Sequence, residues 1–354
     1  MALRYFDGFE QYTTTAHMLN NPVYGGAPAY GSVASGAPSR SGARHYYCTG
    51  NFGQHVMRVQ PGWSSNTVGV GFGIYLDASI TDSGKPACHE FYAADMTVGY
   101  PSVRILPGGV VGIFQAGLVQ GGVSPLATSA AGVINQLTWY HMEIMCTVLP
   151  SAAGSITVRV NGVEVVTYTN LTARSTTGPT TFLLAGTVIY DYAVPRRYDD
   201  MFYWDTAGGG VVSWYGDGRV SQLLPTSNTT TNWTVTGTAS RAAAVAETAP
   251  DGDTTYIQAT AASTETLVLS DLPGTAVTVG GVITATMAAK TDAGISTFLC
   301  GLASGGSAPT TSPVIPSTTT YNYANHVQTT DPATGVAWTP AAINAAVLHV
   351  ERVT

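Results

Sequence analysis

Short apolar or alternating runs, each bounded by Gly, Pro, Asn or Ser, recur along most of the chain, for example at residues 66–76, 102–105, 110–114 and 140–149. Alternation with a period of two places successive side chains on opposite faces of a sheet. These runs therefore predict β-strands, and the residues between them mark the turns. Helical periodicity with capping residues is almost absent, which favours an all-β fold.

One helix is predicted, close to the end of the chain. Thr339 is followed by Pro340 and then by a run of Ala, Ile and Asn. Threonine suits the N-cap, and the fixed φ of proline suits the first helical position. We expect one short C-terminal helix near residues 340–346 and a strand over 347–353. Any other helix should be a single turn.

The most specific segment runs from residue 137 to 166 and predicts a meander of three antiparallel strands. Apolar residues alternate in the first two strands, at Tyr140, Met142, Ile144 and Cys146 and then at Ile156, Val158 and Val160. The dipeptide Asn161-Gly162 follows the second strand. It predicts a hairpin there, because a type I′ turn needs positive φ at both central residues.

This segment and two others resemble the laminin-G-like or concanavalin-like jelly-roll sandwich. Trp139 opens the strand before the one that ends in the Asn-Gly turn, as in that fold. An acidic pair precedes the aromatic strand at 198–205, and residues 6–10 stand where such sandwiches place their opening strand. The resemblance covers residues 1–206 and implies a β-sandwich, a fold that serves many unrelated functions.

A change of composition near residues 207–210 divides the chain. Tyr, Phe and Arg are frequent before it, whereas Thr, Ala and Ser dominate after about Pro225. The stretch 224–232 offers nothing apolar to bury, which is typical of an exposed linker or long loop. We predict a sandwich over 1–206, a linker over 207–232 and a smaller C-terminal β-domain over 233–354.

The composition indicates an unusual surface. Only 10% of the 354 residues are charged, the formal net charge is −7, and there are 40 glycines. About 25% of residues are charged in ordinary soluble domains, so Thr, Ser, Asn and Gly must cover much of this surface. Lys85 and Lys290 are the only lysines, and no run of arginines offers phosphates a basic patch. Nucleic-acid binding is therefore not expected.

Neither membrane insertion nor secretion is expected from the sequence. No window of about 18 apolar residues occurs, and the first residues lack the charged-then-apolar layout of a signal peptide. We expect a cytosolic start. The four cysteines, Cys48, Cys88, Cys146 and Cys300, show no metal-binding spacing and are predicted to be buried free thiols. A cytosolic start argues against a disulfide between them, although the spacing alone leaves one open.

Four carboxylates near the end of the predicted sandwich are candidate oxygen ligands for Ca²⁺: Asp199, Asp200, Asp205 and Asp217. No loop around them has the dense Asp and Asn spacing of a dedicated calcium site. Pairing with Arg196, Arg197 or Arg219 is therefore the favoured interpretation, and no cofactor is predicted.

The acidic and histidine residues do not form a recognisable catalytic pattern. Glycoside hydrolysis needs two carboxylates opposed across a cleft. Glu143 stands alone, Glu164 lies beside the predicted hairpin turn, and Glu90 follows Cys88-His89. The seven histidines lack zinc-site spacing. We predict a protein that is not an enzyme.

Aromatic residues cluster in the first 215 positions. Such rings either stack on carbohydrate or pack the interior of a sandwich. The candidate glycan or subunit contacts are Tyr46, Tyr47, Tyr92, Tyr192, Trp214 and Tyr215.

Several landmarks together resemble a family of tailed-bacteriophage virion proteins. They are the opening Arg4–Glu10, the Asp-Asp-aromatic strand, the segment Gly216–Val220, the element Pro250–Tyr256 and the element Asp331–Thr339. The resemblance implies a structural protein of the virion, assembled in the cytoplasm of the bacterial host. Its partners would be other virion proteins and copies of itself, with a trimer preferred, and a host surface glycan.

Three functional hypotheses remain open. The favoured one is a tail component, such as a fibre, a fibre-anchor or a tail-tip protein. The alternative is a capsid decoration or cement protein, because the chain has no heptads or other repeats of a fibrous stalk. A free carbohydrate-binding module or depolymerase is the third.

Overall fold

The structure is a computed structural model that describes residues 2–19, 21–24, 31–48, 54–63, 65–81, 87–93, 99–115, 124–147, 153–171, 184–191, 194–207, 214–247, 250–276, 278–309, 315–316 and 318–353. The chain separates into two compact units. The first unit contains residues 1–9, 14–19 and 23–220, and the second contains 10–13, 20–22 and 221–354.

The first unit is almost entirely β-structure. Its helical turns are α1 (Thr15–Leu19) and a 3₁₀ turn at Pro107–Gly109. Its described strands are β1 (Ala2–Asp7), β2 (Gly31–Ser35), β3 (Arg44–Cys48), β4 (Gln54–Val59), β5 (Thr67–Leu76), β6 (Ala87–Ala93), β7 (Gly99–Leu106), β8 (Val110–Phe114), β9 (Ala127–Thr128), β10 (Trp139–Thr147), β11 (Gly154–Val160), β12 (Val163–Leu171), β13 (Leu184–Asp191) and β14 (Arg196–Asp205).

These strands form two antiparallel sheets that pack as a sandwich. The larger sheet has eight strands in the order β12-β11-β10-β5-β14-β3-β2, with β1 also paired to β14. The smaller sheet has the order β4-β13-β6-β7-β8-β9. Phe72 of the larger sheet stacks on His89 of the smaller one, with ring centroids 5.1 Å apart. The prediction of an all-β fold with an N-terminal β-sandwich is confirmed.

The central strand β5 presents a different kind of residue to each face of the larger sheet. Val68, Val70, Phe72 and Ile74 are buried, and they alternate with Gly69, Gly71 and Gly73. The apolar set faces the smaller sheet, so the glycines face the other way. We call that second side the outer face.

The glycines leave room for large side chains to lie across the outer face. A Cβ at Gly69 would overlap the indole of Trp204, and one at Gly71 would overlap the ring of Phe202. One at Gly73 would overlap the Cδ of Arg40. The alternation of glycine with apolar residues therefore serves packing on both sides of a single strand.

The second unit has a smaller five-stranded sheet, β15-β18-β23-β20-β21, and two strand pairs, β16-β17 and β19-β22. Its described elements are β15 (Pro225–Asn228), β16 (Thr234–Thr236), α2 (Arg241–Val245), β17 (Tyr256–Gln258), β18 (Ser263–Leu269), β19 (Val282–Ala288), β20 (Thr297–Ala303), β21 (Ile315–Pro316), β22 (Asn322–Gln328), α3 (Pro340–Ala345) and β23 (Val347–Arg352). Two buried clusters contain, respectively, Trp233 with Phe298 and Trp338 with Ile343.

Two local predictions are confirmed. The side chain of Thr339 accepts a hydrogen bond from the Ala342 N–H and Pro340 begins α3, as expected for an N-cap and first turn. Asn161 and Gly162 have φ values of 50° and 80° and join β11 to β12, as a type I′ turn requires. Helices α1 and α2 have five residues each, little more than a single turn.

The prediction of a linker over 207–232 is wrong for the described parts of that segment. Residues 214–220 belong to the first unit, and β15 pairs with β18 in the five-stranded sheet of the second. The polar composition suggested a linker, but β15 is an edge strand, which needs few apolar residues. Pro225 is its one buried residue and the polar residues after it face solvent, which is tolerated at a sheet edge.

Cys48, Cys146 and Cys300 are buried, as predicted, whereas the Cys88 side chain lies outside the described residues. Burial raises the pKa of the Cys300 thiol to about 11. Within the described residues, no helix is long and apolar enough to span a membrane.

Substitution of Gly69 by alanine tests the packing of the outer face. Because the added methyl group would overlap the Trp204 ring, we expect Gly69→Ala to lower the free energy of unfolding by about 2 kcal/mol. Gly274→Ala is the control, since nothing lies within 4 Å of its added Cβ. Denaturant unfolding followed by tryptophan fluorescence measures both, and equal stability of the two variants would contradict this packing.

His89 makes the sandwich sensitive to acid. Burial lowers the pKa of this imidazole from 6.5 to about 3. Above pH 6.5 neither the folded nor the unfolded chain binds this proton, but below it only the unfolded chain does. The stability contributed by neutral His89 therefore falls as the pH drops from 6.5 towards 3, by about 2 kcal/mol at pH 5.

We expect His89→Phe, which keeps a ring against Phe72, to reduce the loss of stability between pH 7 and pH 5. Thermal unfolding at both pH values measures the difference. An unchanged pH dependence would show that His89 is not held neutral in the fold.

Candidate functional site

The six candidate contact residues do not form one surface. Tyr46 is fully buried and packs against Phe9 with ring centroids 5.8 Å apart, so its prediction as a surface contact is wrong. Alternation in β3 explains this result, because Tyr46 faces the interior and Tyr47 the outer face. The Tyr92 side chain and the whole of Tyr192 lie outside the described residues.

Trp214 and Tyr215 begin a segment that lies across the outer face, and we call residues 214–220 the strap. The Tyr215 ring meets Phe202 and Trp204 edge-on, at centroid distances of 5.5 and 5.4 Å. The Arg159 guanidinium lies 4.4 Å from the centre of the Trp214 ring. Both aromatic residues of the strap therefore pack on the sheet and are half-buried.

The backbone of the strap is hydrogen-bonded to buried carboxylates of the sheet. The Gly216 N–H donates to Glu143 Oε1 at 2.9 Å, and the Val220 N–H donates to Asp200 Oδ1 at 2.8 Å. Gly216 has a φ of 78°, which favours glycine and turns the strap towards Glu143. Two strands, β10 and β14, thus hold the strap at two points.

Arg40 is the centre of an ion-pair network beneath the strap. Its Nη1 lies 2.9 Å from Asp200 Oδ2 and donates to the Gly218 carbonyl at 3.1 Å, and its Nη2 pairs with Asp217. The Arg40 side chain is 3% exposed and that of Asp200 is fully buried. Arg219, at the surface, adds weaker contacts of 3.4 and 3.5 Å to Asp200 and Asp217.

Asp199 lies beside this network as a buried acceptor. Its Oδ2 accepts hydrogen bonds from the backbone N–H groups of Arg40 and Ser41, at 3.0 and 3.1 Å. Burial and the adjacent Asp200 carboxylate nevertheless raise the pKa of Asp199. The Asp199-Asp200 pair thus anchors the loop that carries Arg40.

His141 and Glu143, neighbours on one face of β10, place an imidazole between two carboxylates. The Nε2 of His141 lies 4.0 Å from Glu143 Oε2, and its Nδ1 lies 3.9 Å from Asp217 Oδ1. Burial, assisted by the charge of Arg40, lowers the pKa of His141 from 6.5 to about 4. Burial raises the pKa of Glu143, and the hydrogen bond from the Gly216 backbone opposes this shift.

This arrangement has acid and base groups, of which His141 and Glu143 are buried, whereas the Asp217 side chain is 57% exposed. His141 is 1% exposed and Glu143 is fully buried. Each of the carboxylates Glu143, Asp200 and Asp217 contacts a group of the strap or Arg40. The network stabilises the strap in place, and His141 and Glu143 are buried beneath it.

The structure bears out only part of the predicted pairing between the four aspartates and nearby arginines. Asp199, Asp200 and Asp217 come together, whereas Asp205 pairs with Arg4 at 3.0 Å elsewhere on β14. Of the expected arginines, Arg219 pairs with this group, whereas Arg197 pairs with Asp77 at 2.9 Å. Arg40, the main partner, was missed because it is 160 residues from Asp200 in sequence. Among the described residues, no group of three His, Cys, Asp or Glu side chains is arranged to hold a metal ion.

No family model matches the chain, and no curated protein sequence matches it. Solved structures similar to it include the endo-β-1,4-glucuronan lyase from the fungus Trichoderma reesei, with 10% identity, a TM-score of 0.37, and coverage of 52% of this chain and 96% of that one. The cellulose-induced protein Cip1 has 12% identity, a TM-score of 0.37, and coverage of 56% and 96%. The carbohydrate recognition domain of Emp47p has 9% identity, a TM-score of 0.32, and coverage of 51% and 90%.

Arg40→Met tests the ion-pair network, because methionine keeps an aliphatic chain over Gly73 and removes the charge. The change leaves the fully buried Asp200 without its main partner, so we expect the free energy of unfolding to fall by about 3–5 kcal/mol. Denaturant unfolding at pH 7 provides the measurement.

The matched control is Arg219→Met, which removes an arginine that contacts the same carboxylates but whose side chain is 46% exposed. We expect a loss below about 1 kcal/mol. Similar losses of unfolding free energy in the two variants would contradict the conclusion that Arg40 is the main partner of Asp200.

Proposed function

We propose that the chain is a non-enzymatic structural protein of a tailed-bacteriophage particle, and specifically a tail component. The observation that supports this proposal is that the strap covers His141 and Glu143 on the outer face. The acidic groups that would serve hydrolysis or elimination are held by Arg40 and by backbone N–H groups of the chain itself. A sheet covered in this way supports a permanent mechanical role rather than turnover.

The proposed work of the protein is attachment, to neighbouring virion subunits and to a host surface glycan. Strands β12 and β2 end the larger sheet, and each pairs on one side only within the described residues. Such edges accept strands from other chains. Val163, at the start of β12, exposes 65% of its surface and adds an apolar contact there. These unpaired edges are compatible with a homotrimer that has other virion proteins as partners.

A capsid decoration or cement protein is the second candidate function, and the helix lengths favour it. Within the part of the chain that the structure describes, the longest helix is α3, with six residues. That part offers no coiled-coil stalk of the kind that extends many fibres. A compact β-rich subunit suits a capsid surface as well as a tail.

Quantitative mass spectrometry of purified particles tests the proposal and separates its two forms. We expect the chain in the particle as a small minority relative to the major capsid protein, since tails contain few copies of each subunit. An amount comparable with the major capsid protein would assign it to the capsid instead. Absence from purified particles would contradict both forms, as would release of sugar fragments from polysaccharide by the purified protein.

A further inference from the structure

Four large side chains form a row across the outer face, one from each of four neighbouring strands. Trp139 of β10 is paired with Tyr75 of β5, Tyr75 with Arg197 of β14, and Arg197 with Tyr47 of β3. Adjacent strands are about 4.8 Å apart, so the row is about 14 Å long. We call these four residues the aromatic row. None of the strap contacts described above involves them.

The side chains of the aromatic row contact one another and reach solvent. The Tyr75 and Trp139 ring centroids are 5.4 Å apart. The guanidinium of Arg197 lies 5.7 Å from the centre of the Tyr75 ring and 5.4 Å from that of Tyr47. All four residues are half-buried, in contrast to Phe202 and Trp204 beneath the strap. The row is therefore a ready-made surface that needs no movement of the strap.

The single charge in the row is neutralised. Asp77 Oδ1 accepts hydrogen bonds from Arg197 Nη2 at 2.9 Å and from Arg197 Nε at 3.2 Å. A paired guanidinium no longer attracts an anionic ligand strongly. The row thus favours a neutral ligand.

Near the row, at least one hydrogen-bond donor and one acceptor lack a partner among the described residues. Trp139 Nε1, a donor, and Asp77 Oδ2, an acceptor, are buried without a partner among the described residues. His45 is fully buried, with its Nε2 3.1 Å from Arg197 Nη1 and its Nδ1 unpartnered. Such groups are costly to leave unsatisfied. At the half-exposed surface of the row itself, the hydroxyls of Tyr47 and Tyr75 both donate and accept, which matches a polyhydroxylated ligand.

Leu137, two residues before Trp139, is both strained and exposed. Its φ is 58°, a left-handed conformation that leucine rarely adopts, and 61% of its surface is exposed. Its N–H donates to the Leu76 carbonyl at 2.8 Å, next to Tyr75 and Asp77 in β5 and its following turn. Backbone strain that presents an apolar side chain to solvent beside aromatic residues points to binding rather than to folding.

We propose that Leu137 and the aromatic row bind a neutral glycan. The apolar faces and edges of the rings contact the C–H groups of the sugars, and the tyrosine hydroxyls exchange hydrogen bonds with sugar hydroxyls. The length of the row suits several consecutive sugar units. This inference deepens the proposed function. It rests on that function only for the location of the glycan, which is the host surface.

The test uses the full chain with neutral oligosaccharides, such as cellohexaose and maltohexaose, an acidic oligogalacturonate, and a broad glycan array. We expect saturable binding of a neutral glycan and none of the acidic one. Trp139→Ala should weaken that binding about tenfold or more, because truncating an aromatic anchor removes most of its contact.

Leu137→Gly guards against a variant that simply fails to fold. Glycine adopts a φ of 58° without strain, so this variant should be at least as stable as the parent and still bind the glycan more weakly. Tyr140→Phe is the control, because Tyr140 alternates with Trp139 and lies on the opposite side of β10. Its affinity should be unchanged.

Absence of glycan binding, binding of acidic glycans alone, or neutral binding that both row variants leave intact would each overturn the inference. Loss of an oligomer in Leu137→Gly without any glycan binding would assign the row to a second copy of the chain. These outcomes are separate from failure of the proposed function, which the presence of the chain in purified particles decides.

Discussion

The packing of the outer face depends on the glycines of β5, which have no side chains. Gly69, Gly71 and Gly73 occupy alternate positions of the central strand, and large groups from β14 and from the loop before β3 lie in the space above them. Without that space, Phe202 and Trp204 would be displaced upwards and the strap would lose the surface on which Tyr215 packs. The other side of the same strand meanwhile supplies the core of the sandwich.

Burial under the strap determines the electrostatics of the site. Asp200 is fully buried, and its carboxyl group pairs with Arg40 at 2.9 Å and accepts a hydrogen bond from the Val220 N–H at 2.8 Å. His141, close by, stays neutral over a wide pH range because burial and Arg40 both disfavour its charged form. Beyond the strap, the aromatic row stays half-exposed. One sheet face thus combines a covered ionic part and an open aromatic part.

The sequence predicts those features that depend on neighbouring residues. The turn at Asn161-Gly162 and the cap at Thr339-Pro340 are local, so backbone preferences alone identify them. The pairing of Arg40 with Asp200 joins residues 160 positions apart, which no local pattern reveals. Tyr46 and Tyr47 show the same limit, because alternation predicts opposite faces but not which face is buried. The glycine alternation in β5 was the available signal, and its meaning depends on rings contributed by β14.

A double-mutant cycle between Gly71 and Phe202 tests the central claim most directly. The free energy of unfolding is measured for Gly71→Ala, for Phe202→Ala and for the double variant. If the ring lies over the glycine, removal of the ring relieves the overlap, and the double variant should lose less stability than the sum of the single losses by more than about 1 kcal/mol. Additive losses would show that the Phe202 ring does not occupy the space above Gly71, and would contradict this account of the outer face.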